Sequence, residues 1–80
     1  MMDLATEKEH LAKAELDLVD GGARVRQQSD LVKRLRGAGQ DVVAAERLLA
    51  TLEQTLDSWR DHRDIILTTI ARLEKEQPRR

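Results

Sequence analysis

A chain of 80 residues makes at most one domain with a small core, and with no cysteine it has neither a disulfide nor a thiolate metal site to reinforce that core. Its formal net charge is −1, 36% of its residues are charged and its apolar runs are only a few residues long, which excludes a membrane-spanning segment. Aromatics are 1% of the chain, and the bias toward Ala, Glu, Lys, Leu and Arg is that of long helices and coiled coils, so added stability is expected from association.

The opening Met1-Met2-Asp3-Leu4-Ala5-Thr6-Glu7-Lys8-Glu9 carries acids where a secretory signal would carry bases and then an apolar stretch, so a cytoplasmic setting is expected. A first helix is predicted over about residues 3–36. Leu4, Leu11, Leu18, Val25 and Val32 recur every seven residues, interleaved with a weaker column of Glu7, Ala14, Gly21, Gln28 and Leu35. Gly21-Gly22 interrupts it with two residues that each cost about 1 kcal/mol in a helix interior. A continuous helix is favoured because Gly21 falls on the seam, where a missing side chain makes room for an indole; a break after Asp20 would give three helices built from the same faces.

A turn is expected over residues 37–41, with Gly37 in the left-handed conformation that ends a helix and Asp41 as N-cap of the next. The second helix is predicted over about residues 42–77, closed by Pro78. Its seam is purer: Val42, Leu49, Leu56, Arg63 and Ile70 alternate with Ala45, Leu52, Trp59, Ile66 and Leu73, all apolar but Arg63.

Folding the chain at the turn pairs the two seams in order, Leu35 with Val42, Gly21 with Leu56, Leu18 with Trp59, and on to Leu4 with Leu73, every layer having the same sum of residue numbers. This register brings Arg36 near Glu46, Glu15 near Arg60 and Lys8 near Glu74, and sets Leu31 beside Leu48. Each arm would be roughly 50 Å long at about 1.5 Å per residue. The predicted fold is all-α: one domain over residues 1–80, an antiparallel two-helix coiled-coil hairpin.

A bare hairpin leaves apolar side chains uncovered. Ala12, Leu16, Val19 and Ala23 form a second stripe at helical spacing on the outer side of helix 1, and Leu48, Ile65 and Leu67 lie off the seam of helix 2. The simplest cover is a second copy in a four-helix bundle, since identical chains most often pair by two-fold symmetry; a helix of a different protein would satisfy the same stripe.

Charge is segregated. Over residues 3–20 six acids stand against Lys8 and Lys13, a net of −4; over residues 24–36, Arg24, Arg26, Lys33, Arg34 and Arg36 stand against Asp30, a net of +4. Arg34 and Arg36 are therefore candidates for meeting phosphate, which makes accessory nucleic-acid binding the alternative function, or for meeting the acidic end of a neighbouring hairpin. No aromatic residue accompanies the basic segment for base stacking, and no nucleic-acid-reading motif is present.

Ser58-Trp59-Arg60-Asp61-His62-Arg63-Asp64 holds the only tryptophan. Trp59 is read as a seam residue and a candidate interaction residue, Arg60 and Asp64 as an i, i+4 ion pair, and Arg63 as a stem over the seam whose head reaches Glu7 or solvent. His62 shares a flank with His10 and Asp17, yet neither helix has close-spaced metal ligands, no serine or threonine has a base and orienter, and Gly37-Ala38-Gly39 sits at the end of a helix dipole that repels anions. No catalysis, cofactor or metal is expected.

The run Leu48-Leu49-Ala50-Thr51-Leu52-Glu53-Gln54-Thr55-Leu56, followed by Trp59-Arg60-Asp61-His62-Arg63-Asp64-Ile65, resembles short helical proteins of alphaproteobacteria. The resemblance covers chiefly helix 2 and implies a bacterial cytoplasmic setting, with no activity to carry over. The function expected is that of a self-associating protein-binding module, a small adaptor or regulator.

Overall fold

The computed structural model describes residues 3–76, which form two helices, α1 (Leu4–Gly37) and α2 (Val43–Glu76), packed along their lengths as an antiparallel hairpin. The chain is all-α, and no described helix is long and apolar enough to cross a membrane. The expected end of helix 2 at Gln77 and Pro78 lies outside the described residues.

Local chemistry sets the helix ends. Asp3 is the N-cap of α1: its backbone is extended, its Oδ1 accepts the Thr6 N–H at 2.8 Å, and the Thr6 hydroxyl donates to Oδ2 at 3.0 Å. These donors, the backbone N–H foremost, hold the Asp3 carboxyl below its usual value of 3.8 because they stabilise its charged form. At the other end the sequence expectation needs correction. Gly37 is the last helical residue, and the left-handed position is Gly39, with φ 72°. The Gly39 N–H reaches Arg36 O at 3.1 Å and the Gln40 N–H reaches Leu35 O at 2.9 Å, the paired hydrogen bonds of a Schellman turn, which satisfy carbonyls the helix leaves open. Asp41 caps α2, but from one residue farther out than expected: its carboxylate accepts the Val43 N–H at 3.0 Å, while Val42 O accepts the first helical bond from Glu46.

Every predicted seam residue on both helices is buried or half-buried. Ala14, Ile66 and Ile70 form a buried cluster near the open end, with Leu4 and Leu11 packed against it; Val32 and Leu56 are the other buried apolar residues. The helix does not break at Gly21-Gly22. Gly21 is buried, and a Cβ placed there would lie 3.0 Å from Leu56 Cδ1 and 3.1 and 3.2 Å from Trp59 Cζ3 and Cε3, so the missing side chain is the space the indole occupies.

Interhelix polar contacts fix the same register. Lys8 meets Glu74 at 3.8 Å and Arg36 meets Glu46 at 2.9 Å, as the layer pairing requires, and Gln28 Nε2 donates to Ala45 O at 3.0 Å across the seam. Both ion pairs are exposed, so each contributes only about 0.2–1 kcal/mol, and they select a register more than they stabilise it. Other expected pairs are not made. Arg60 turns back to Asp57 at 3.1 Å and meets neither Glu15 nor Asp64, and Arg63 takes Asp64 at 3.0 Å. Glu7 is instead engaged by His10 Nδ1 at 2.9 Å, which spares a seam carboxylate from being buried without a partner.

Candidate interaction surface

Because α1 runs unbroken from Leu4 to Gly37, the residues that face away from α2 form one continuous outer face. Leu16 and Val19 stand at its middle with 69% and 68% of their surface in solvent, as exposed as any large apolar side chain in the described chain; Ala12 beside them is exposed and Ala23 half-buried. The stripe read from the sequence is therefore intact and uncovered. On α2, Val43, Leu48, Ile65 and Leu67 are also exposed, but they scatter around the helix and do not line one face.

The same stripe continues at helical spacing into two charged residues that the sequence reading passed over, Glu9 before Ala12 and Arg26 after Ala23. Both are exposed, and among the described residues neither forms an ion pair within the chain. The 4-3-4 spacing of the stripe would have found them had it been extended by one step of three at each end.

The remaining candidate residues are dispersed. Trp59 is half-buried on the seam against Gly21, which makes it a packing residue and takes its ring away from the outer face. Arg34 is exposed and lines an open groove with Gln27, Asp30 and Lys33, while Arg36, on the flank toward α2, is held by Glu46. Of the two arginines singled out from the sequence, Arg36 is thus engaged within the hairpin, and Arg34 shares its groove with the carboxylate of Asp30.

His10 and His62 do come together across the helices. With Lys13, Ala14 and Asp17 they line a shallow groove of about 170 Å³. Three of these side chains are already engaged: His10 through Nδ1 with Glu7, and Lys13 with Asp17 at 3.1 Å. An ammonium group at the one carboxylate that lines the groove opposes a bound cation, and no set of three or more metal-ligating side chains gathers among the described residues. No family model, curated protein or solved structure matches this chain.

Proposed function

We propose that this chain is a protein-binding module whose working form is a homodimer, two hairpins joined into a four-helix assembly, serving as a small adaptor or regulator in the cytoplasm. One observation carries the reading: the seam is fully used by α1 against α2, yet Leu16 and Val19 remain more than two-thirds exposed at the centre of a continuous apolar stripe. No large side chain among the described residues is completely enclosed, so a single hairpin has a seam but no interior. A second layer of helices would supply one.

The energetics favour an association that dilution reverses. Fully covering a Leu or Val contributes on the order of 1.5–3 kcal/mol. Two such side chains from each copy are set against a loss of translational and rotational freedom of about 4–15 kcal/mol. Light scattering behind size exclusion, repeated over a range of loading concentrations, tests the reading. A mass near twice 9.1 kDa that falls on dilution is the expected result; a folded chain of 9.1 kDa at every concentration refutes self-association.

A further inference from the structure

The outer face of α1 has a chemical order that reads the same from both ends with charge inverted. Glu9, Ala12, Leu16, Val19, Ala23 and Arg26 run acid, small, large, large, small, base. The midpoint between Leu16 and Val19 is equidistant from Ala12 and Ala23, and from Glu9 and Arg26. Resting on the self-association reading above, we propose that the second copy docks its own α1 antiparallel on this face, about a two-fold axis passing between Leu16 and Val19.

A two-fold interface must be self-complementary, each residue meeting its counterpart's partner twice. Rotation about that midpoint sets Leu16 against Val19 of the second copy, Ala12 against Ala23, and Glu9 against Arg26. The large side chains cover one another at the centre, and the alanines on either side let the helix axes approach toward the near end of the usual 8–10 Å range. Glu9 and Arg26, which have no ion-pair partner among the described residues, find one at each end of the contact.

The charge of the segments that overlap agrees with this orientation. About the Leu16–Val19 midpoint, residues 24–32, with Arg24 and Arg26 against Asp30, lie over residues 3–11, with Asp3, Glu7 and Glu9 against Lys8, so a net +1 faces a net −2 at each end, whereas a parallel pair lays each segment on its own like; Lys33, Arg34 and Arg36 extend past Asp3 of the second copy and take no part. The continuity of α1 through Gly21-Gly22 is what allows this, since a break there would turn Ala23 and Arg26 off the line of Leu16 and Val19. From Glu9 to Arg26 the contact runs about 26 Å, roughly five helical turns.

Charge reversal tests the arrangement, with the wild-type mass establishing first that a dimer exists. Glu9→Arg and Arg26→Glu each replace two attractions by two repulsions, and each is expected to weaken the dimer about tenfold at low salt. The double variant E9R/R26E restores the pairs with signs exchanged and should return to within about threefold of wild type. Both residues are exposed and form no ion pair among the described residues, so circular dichroism should show all three variants equally helical. Because the chain has no native cysteine, single cysteines carrying spin labels read the orientation directly. A label at Asp20 should lie about 10–15 Å from its copy and one at Asp30 about 40 Å, whereas a parallel pair gives short distances at both. A dimer whose affinity ignores the single reversals, or whose double variant stays weak, or whose Asp30 labels are close, overturns this arrangement while leaving self-association standing. A wild-type monomer overturns both.

Discussion

Two adjacent glycines in one helix offer a controlled measurement of what the seam requires. Gly22→Ala adds a methyl group that would lie 3.5 Å from the Arg26 guanidinium, an ordinary contact. It should therefore deliver the helix-propensity gain alone, about 0.5–1 kcal/mol. Gly21→Ala gains the same propensity, but its methyl group arrives 3.0 Å from Leu56 Cδ1 and 3.1 and 3.2 Å from two carbons of the Trp59 ring. The ring is rigid and Leu56 is buried, so relief needs a shift of the whole indole, an overpacking cost of about 1–3 kcal/mol. The net expectation is that Gly22→Ala stabilises, Gly21→Ala is neutral or destabilising, and the two differ by about 1–3 kcal/mol. In a domain of this size each kcal/mol moves the melting temperature by about 4–8 °C. Urea unfolding followed by circular dichroism, with every variant at one protein concentration, measures the difference, and Trp59 emission reports the displacement of the ring. Replacing Trp59 by Leu in the Gly21→Ala background should recover most of the penalty, a coupling that a double-mutant cycle isolates. Equal stabilisation by the two alanines would refute the claim that Gly21 is there to seat the indole.

Ile66 is 4% exposed at the centre of the main cluster, and Ile66→Ala should cost about 2–5 kcal/mol, read as a fall in the urea midpoint. Glu7→Leu, at a seam position between Leu4 and Leu11, replaces a buried carboxylate by a side chain the seam accommodates and should raise stability by about 1–3 kcal/mol, seen as a higher melting temperature. The Asp3 cap contributes stability that is fully present above the ordinary aspartate range, because its folded carboxyl lies lower than its unfolded one; that contribution is lost as pH falls through the folded value, below 3.8. Asp3→Asn keeps an acceptor for the Thr6 N–H but cannot titrate, so the stability curves of the two proteins should run parallel at neutral pH and converge in acid, which unfolding measured from pH 7 to pH 2 checks.

How far the fold was legible depends on which interactions have competitors. The heptad seam has almost none: moving Leu49, Leu56 or Ile66 off it would expose large apolar surface, so periodicity alone determines which faces meet, and the register alone sets Gly21 within one layer of Trp59. The turn is different. Gly37 and Gly39 are equally able to adopt positive φ, and the choice of Gly39 comes from running α1 one residue farther and closing it with the Gln40 and Gly39 hydrogen bonds, an outcome that composition does not encode. Surface ion pairs are less legible still. Arg60 has Asp57, Asp64 and Glu15 as candidate partners, and exposed pairs differ by less than about 1 kcal/mol, so rotamer preference decides among them.

The outer stripe shows a third case, in which a surface is legible and its occupant is not, because any amphipathic helix covers Leu16 and Val19 equally well by area. Area carries no orientation; the order of residue types does. A foreign helix has no reason to place a base opposite Glu9, an acid opposite Arg26 and small residues opposite Ala12 and Ala23 at matching distances from one midpoint. A second copy of α1, turned by the two-fold, satisfies all of these conditions with the residues already present. The discriminating quantity is thus the response to paired charge reversal: restoration by the double variant requires that Glu9 and Arg26 face each other across the interface, and apolar cover by an unrelated helix would leave the two reversals independent.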